Sequence, residues 1–132
     1  MKPLTAEWVE KAEGDFVTAR RERYARNSPN YNAVCFHTQQ MAEKYIKAFL
    51  QEHEEAIPRT HDLVDLINIC LPFEPKFIDI ETDIKSLNGY ARGVRYPGQT
   101  IYKDEAVEAL HHAIIVRKFF REKINLTTDY EI

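Results

Sequence analysis

The sequence predicts an all-α protein, an up-and-down four-helix bundle with one additional short helix. Apolar residues recur with the 3.6-residue period of a helix, and no segment shows a convincing two-residue alternation. The 132 residues include only 4 Gly and 6 Pro, and the clear turn segments lie between the apolar stripes. This length fits one domain, so residues 1–132 should form a single helical domain with a tail from about residue 125.

The first two helices are predicted from their apolar stripes and the turn between them. The first should begin near Thr5, a suitable N-cap, and end near Tyr24. Ser28-Pro29-Asn30 marks the turn. The second should run from about Asn32 to His53, and because it is apolar on several sides it should pack against several partners.

Three further helices are predicted. A short third helix should be capped by Thr60 or Asp62 and end at Leu71-Pro72. The fourth should open at Glu74-Pro75, and the last should start near Asp104-Glu105, whose negative charges suit a helix N-terminus. The apolar stripe of the fourth helix consists of Phe77, Ile80, Ile84, Leu87 and Ala91.

Composition and charge exclude several classes of protein. The chain is 44% hydrophobic, too apolar for intrinsic disorder, yet no stretch approaches the roughly 18 uninterrupted apolar residues of a membrane span. The start of the sequence lacks the apolar run of a secretory signal, so we expect a cytoplasmic protein. The formal net charge of −3 argues against a strong general nucleic-acid binder.

The cysteines and histidines form no metal-binding pattern. Cys35 and Cys70 are isolated in apolar surroundings, which is typical of buried reduced thiols. His111 and His112 are adjacent, so on a helix they point about 100° apart and do not readily bind one ion. No spacing resembles a zinc site, and we expect neither a metal nor a cofactor.

The connection before the last helix carries the most informative polar residues. Residues 84–103 contain four basic residues and no acidic one. Arg92 and Arg95 offer planar forks for phosphate, while Tyr96 and Tyr102 offer rings and hydroxyl groups for a base. The alternative is that the arginines cap the preceding helix and the tyrosines pack over the end of the bundle.

His37, Gln40 and Lys44 share one face of the second helix and predict a polar strip there. Such a strip offers donors to a phosphate or a base edge, or it fixes helix register or faces solvent. On the same helix Glu43 and Lys47 are spaced for an ordinary helix ion pair worth a few tenths of a kcal/mol.

Two other polar features have simple structural interpretations. His61 precedes the short helix and is expected to act as a cap whose imidazole bonds a carbonyl. Basic residues at the end of the first helix are expected to complement its negative pole, with an RNA-contacting patch as the alternative. These are Arg20, Arg21, Arg23 and Arg26.

Three segments together resemble the HEPN family (higher eukaryotes and prokaryotes nucleotide-binding domain). They are Cys35-Phe36-His37-Thr38-Gln39-Gln40-Met41-Ala42-Glu43-Lys44, Thr60-His61-Asp62-Leu63 and Arg95-Tyr96-Pro97-Gly98. The resemblance covers the chain from the first helix to Phe120. It implies an all-α bundle, commonly a homodimer, often encoded beside a minimal nucleotidyltransferase with which it forms a pair resembling toxin and antitoxin.

One family motif is absent. Many members resemble metal-independent endoribonucleases with an Arg followed, after four to six residues, by His, and no arginine here has a histidine at that distance. We therefore expect no ribonuclease activity by the family's usual mechanism. The resemblance instead favours the nucleotide-binding or partner branch, with Arg92 and Arg95 for phosphate, Tyr96 for stacking, and His37, Gln40 and Lys44 lining the groove. Tyr102 is added by analogy with a tyrosine that is nucleotidylated in related systems.

Three hypotheses follow. The first is a non-enzymatic dimeric module that binds a nucleotide, RNA or a nucleotidyltransferase where the arginine-bearing connection projects into the same cleft as His37. The second is a ribonuclease toxin with a rearranged site that uses His37 or His111. The third is a purely structural dimer, which an apolar stripe left on the first or last helix would favour.

Overall fold

The structure is a computed structural model that describes residues 1–90 and 100–127, and in these ranges it contains helices and connections but no strand. The predicted all-α class is confirmed. Over the same ranges, no helix is long and apolar enough to cross a bilayer. The helices are α1 (Pro3–Arg23), α2 (Tyr31–Glu52), α3 (Leu63–Cys70), a 3-10 helix (Pro75–Ile80), α4 (Glu81–Asn88) and α5 (Lys103–Lys123).

α2 is the central helix and packs against both other long helices. α1 runs antiparallel to it, because the backbone N–H of Lys2 donates to Glu52 at the far end of α2 (3.0 Å). α5 runs parallel to α2, and near its C-terminus the ring of Phe120 meets Phe49 edge-on at 6.5 Å. α2 is therefore buried on several sides, as its sequence predicts.

Two element boundaries differ from prediction. α1 begins at Pro3, so Thr5 lies buried inside the helix and is not its N-cap. Proline suits this first position because the N–H that it lacks would have no partner within the helix. The predicted fourth helix is a 3-10 helix followed by α4. Phe77 and Ile80 are both in the core, since the three-residue repeat of a 3-10 helix places them on one side.

α3 is capped as predicted and is tied to α4. The Asp62 carboxylate accepts from the Asp65 N–H (3.0 Å), and the Thr60 hydroxyl accepts from the Asp62 N–H (3.1 Å). The Asn88 side chain at the end of α4 accepts from the Leu63 N–H (2.7 Å). These contacts place the end of α4, where the arginine-bearing connection begins, beside the start of α3.

An ionic network centred on Glu13 joins the three long helices. Arg117 on α5 donates two hydrogen bonds to the Glu13 carboxylate, both 2.8 Å, and the hydroxyl of the buried Tyr45 on α2 donates a third. Burial alone would raise the pKa of Glu13, but these hydrogen bonds and the charges of Arg117 and Arg121 outweigh it and lower that pKa. Burial raises the pKa of Tyr45, so its hydroxyl stays protonated and donates.

We expect Glu13→Gln to lower the free energy of unfolding at pH 7 by about 3 kcal/mol, since it leaves Arg117 buried beside a neutral amide. This is the low end of the range for a broken buried pair, because the Glu13 side chain is partly exposed. Urea denaturation measures the loss. A lowered folded-state pKa stabilises the fold above the unfolded-state value of about 4.5. The gap between wild type and variant should therefore shrink as the pH falls through the folded-state pKa.

Glu10→Gln, an exposed carboxylate on the same helix, is the matched control and should change stability by less than about 0.5 kcal/mol. Equal losses for the two variants, or a gap that stays constant at acidic pH, would contradict the assignment of Glu13 as the centre of the network.

Candidate functional site

The predicted polar strip on α2 is held by a carboxylate from α1. Asp15 Oδ1 lies 2.7 Å from His37 Nδ1, and Asp15 Oδ2 accepts a hydrogen bond from Lys44 Nζ at 2.5 Å. Asp15 is buried, whereas the side chains of His37 and Lys44 are 29% and 24% exposed. The α1–α2 groove thus contains a His–Asp–Lys cluster that solvent reaches from one side.

The contact with Asp15 determines what His37 can do. A carboxylate only accepts hydrogen bonds, so Nδ1 carries the proton, and the lone pair of the neutral ring lies on Nε2. A histidine oriented in this way can act as a general base. Asp15 offsets the charge of Lys44, so the cluster attracts an anion only weakly while His37 is neutral.

Gln40 shares the helical face of His37 and Lys44 but does not join their cluster. Its side-chain N–H donates to the Gln39 carbonyl oxygen (2.7 Å), and the Gln39 side chain donates to the backbone carbonyl of His61 (3.3 Å). This chain of hydrogen bonds ties the connection before α3 to α2. The structure therefore brings together two of the three predicted strip residues.

Of two expectations about the other side of α2, one is confirmed and one is wrong. Glu43 and Lys47 form the expected ion pair at 3.0 Å, and the two residues are only 4% and 6% exposed, because the Trp8 ring and the connection before α3 cover them. Within residues 1–90 and 100–127, the His61 imidazole bonds no backbone carbonyl, contrary to expectation; its Nδ1 lies 2.9 Å from Glu43 Oε2. Asp62 performs the capping role instead, because its short carboxylate reaches the N–H groups of the first turn.

The connection that was predicted to bind phosphate leaves α4 on the other side of α2 from His37. The side chain of Tyr90, just after α4, lies near the Cys35 thiol, and each group influences the pKa of the other. Cys35 and His37 are two residues apart, so they point about 200° apart on the helix. The predicted ligand residues within this connection, Arg92, Arg95 and Tyr96, lie outside the described residues, and their place beside His37 stays a prediction.

Neither cysteine offers a reactive thiol. Both Cys35 and Cys70 are free and buried, in agreement with the sequence interpretation. Burial raises the pKa of each to about 12, so both stay protonated at neutral pH. In residues 1–90 and 100–127, no cluster of three His, Cys, Asp or Glu side chains could hold a metal ion.

The chain returns from the connection to the end of the bundle where α1 ends and α2 begins. Thr100 and Ile101, together with residues 28–32, line an open polar depression of about 410 Å³ there. Asn30 caps α2 by accepting from the Ala33 N–H (3.0 Å), and the first turn of α2 has no acidic residue. The positive end of the α2 dipole therefore forms part of the wall, and the Glu22 carboxylate, which accepts from the Asn30 N–H (2.9 Å), offsets part of its charge.

Basic and aromatic side chains collect at the same end. Arg21 and Arg26 are exposed, and the guanidinium of Arg23 lies 4.7 Å from the centre of the exposed Tyr24 ring. Tyr102 is also exposed, at the N-cap of α5 beside the depression-lining Ile101. The arginines at the end of the first helix were expected either to complement its negative pole or to contact RNA. This position is compatible with both roles.

Asp15 is the residue of the groove that sequence reasoning missed. It lies seven residues after Trp8, which is two turns along the edge of the α1 apolar stripe. A carboxylate on that edge faces a neighbouring helix. The seven-residue spacing from Trp8 could therefore have identified Asp15 as a residue of the groove. The identity of its partners depended on how α1 and α2 pack, which periodicity does not specify.

Comparisons with known proteins agree with this architecture. The HEPN domain family matches residues 5–123. The crystal structure of TT1696 from Thermus thermophilus is 26% identical with a TM-score of 0.74, and the alignment covers 90% of this chain and 97% of that one. ST0689, an archaeal HEPN homologue, is 28% identical with a TM-score of 0.69, covering 94% and 99%. No curated protein matches the chain.

The family match begins in the first turns of α1 and ends at the last residue of α5, so it includes every helix described above. The two structural neighbours align over nearly their whole length. The chain belongs to the HEPN domain family.

Proposed function

We propose that this HEPN protein is a nucleotide-binding module that pairs with a nucleotidyltransferase, as one component of a toxin–antitoxin-like system. The observation that best supports binding is the polar depression at the end of the bundle where α2 begins. The partner class comes from the family resemblance, and the depression has the chemistry that a phosphate group requires.

A phosphate needs hydrogen-bond donors and positive charge at the same place. The backbone N–H groups of the first turn of α2 and the positive end of the helix dipole suit an anion, although Asn30 already accepts from the Ala33 N–H. Ser28, Asn32 and Thr100 add hydroxyl and amide groups to the lining. Arg26 lies two residues before Ser28 and is exposed, so its guanidinium supplies charge near the depression.

The predicted ligands of the connection are assigned to the same end of the bundle. Arg92 and Arg95 belong to the segment that directly precedes Thr100 in the sequence. In this proposal they bind phosphate oxygens. Tyr96 stacks on the base. Tyr102, which is exposed beside the depression, supplies a second ring or a hydroxyl group. His37 and Lys44 both contact Asp15, whose carboxylate offsets the charge of Lys44, so these two residues have a secondary role in this function.

The homodimer that the family resemblance implies is supported by two exposed apolar side chains on α5. Val107 and Ile115 are each more than a third exposed and lie about 80° apart around the helix, with the exposed His111 between them. A purely structural dimer would leave the same side chains exposed on the monomer. Light scattering in solution measures dimerisation, and the binding measurements below test the nucleotide site independently.

We expect the purified protein to bind ATP or GTP, and Arg26→Ala and Arg95→Ala each to weaken that binding about 10- to 100-fold. The factor corresponds to the loss of one charge-assisted hydrogen bond, about 1.5–3 kcal/mol. Isothermal titration calorimetry measures the affinities of wild type and variants.

Arg59→Ala is the matched control. Arg59 is exposed, and it lies two residues before His61, which contacts α2 at Glu43, about 18 Å along the helix from Tyr31. Its removal should leave the affinity unchanged. Equal losses for Arg26→Ala and Arg59→Ala would contradict the site. Failure to bind ATP, GTP, short RNA and the protein encoded next to the gene would contradict the function.

Metal-independent RNA cleavage is a second candidate function, and the Asp15–His37 pair favours it. Transesterification requires a base for the 2′-hydroxyl proton, and His37 is oriented for that role with its ring partly exposed. Lys44 lies on the same carboxylate, where its ammonium group could stabilise charge on the phosphate in the transition state. This arrangement differs from the Arg–His motif of the family, which the chain lacks.

For this second candidate we expect cleavage of tRNA or total RNA that persists in EDTA and falls about 100-fold or more in His37→Ala, since the base is removed. Gel electrophoresis of the RNA products measures the rate. His53→Ala is the control, because that histidine is exposed at the opposite end of α2. Freshly purified protein that cleaves none of these RNAs would remove the candidate.

A further inference from the structure

The five histidines of the chain all lie in its described part, and they differ in two properties that control reactivity. His37 and His112 each have a carboxylate on Nδ1 but are only 29% and 22% exposed. His53 and His111 are exposed, and their described contacts are with aromatic or imidazole rings. The side chain of His61 is 75% exposed and also has a carboxylate on Nδ1.

The carboxylate that holds His61 is unusually constrained. Glu43 is almost fully buried, and its Oε2 contacts both Lys47 Nζ (3.0 Å) and His61 Nδ1 (2.9 Å). Its Oε1 is also buried, with no hydrogen-bond partner within residues 1–90 and 100–127. Lys47 is held in turn by the Trp8 ring from α1, 5.8 Å from its Nζ. The position of this acceptor is therefore set by α1 and α2 and not by solvent.

The backbone of His61 is fixed as well. Its carbonyl accepts from the Gln39 side chain (3.3 Å), and the next residue, Asp62, donates its N–H to the Thr60 hydroxyl (3.1 Å). With Nδ1 directed at a buried carboxylate, the proton of the neutral ring resides on Nδ1. Nε2, on the opposite side of the ring, then presents its lone pair to solvent. Orientation of an imidazole by a carboxylate is a recurrent way to prepare it for reaction.

We propose that His61 Nε2 is an acceptor for a phosphoryl group from a small high-energy donor such as a phosphoramidate. The Nε2 lone pair forms a bond to phosphorus while the P–N bond of the donor breaks. The donor reacts in its N-protonated form, so its nitrogen leaves with that electron pair as neutral ammonia. Nδ1 keeps its proton, so the phosphorylated ring is positively charged. The Glu43 carboxylate stabilises this charge in the product and in the transition state that leads to it.

The test is incubation of the full-length protein with phosphoramidate, followed by mass spectrometry that locates the phosphoryl group on each histidine over time. We expect His61 to react about tenfold faster than His53 or His111, the factor that a single hydrogen bond of ordinary strength provides. This comparison needs no variant, since His53 and His111, which contact no carboxylate within the described residues, serve as internal controls. Equal rates for the three exposed histidines would overturn the proposal.

Glu43→Gln supplies the matched variant. It keeps the shape of the side chain and removes the charge that stabilises the phosphorylated ring, so labelling of His61 should fall to the rate of His53. Circular dichroism first establishes that this variant is folded. A folded Glu43→Gln protein that labels His61 at the wild-type rate would also overturn the proposal, because a merely structural Glu43 would change stability and leave the labelling rate unaltered.

Discussion

Two carboxylates on α1 hold the bundle in register. Glu13 and Asp15 are two residues apart, so they leave the helix about 200° apart, one on each flank of its apolar stripe. Glu13 receives Arg117 from α5 and Tyr45 from α2, while Asp15 receives two side chains further along α2. The two carboxylates thus contact different partners at fixed positions on α2 and α5. A shift of α1 by one turn would separate each carboxylate from its partners and leave buried charges unpaired.

These ion pairs also determine where positive charge is available to a ligand. Near the middle of the bundle, cations are paired: Lys44 with Asp15, Lys47 with Glu43, and Arg117 with Glu13. At the end where α1 stops and α2 starts, exposed arginines adjoin a polar depression and a helix N-terminus. The end of the bundle therefore suits phosphate binding, and the groove suits proton transfer, because Asp15 orients the His37 imidazole there.

The three histidines that contact carboxylates each link two elements of the fold. His37 links α2 to α1, His61 links the connection before α3 to α2, and His112 links α5 to Asp83 of α4. Each contact directs one ring nitrogen inward, so the exposure of the other nitrogen differs only through the local packing around it. The same physical contact that stabilises the bundle thus decides which imidazole is available for chemistry.

The sequence by itself determined the all-α class, the order of the elements, a cap of α3 at Thr60 or Asp62, and the burial of α2 on several sides. These features are local: helical periodicity and capping groups act within a few residues. It did not determine that Glu43 and Lys47 are buried, that His61 meets a carboxylate, or that Asp15 joins His37 to Lys44. Those outcomes depend on which helix faces lie against each other, and only the tertiary structure decided that, since residues far apart in sequence meet through packing that a periodic pattern does not encode.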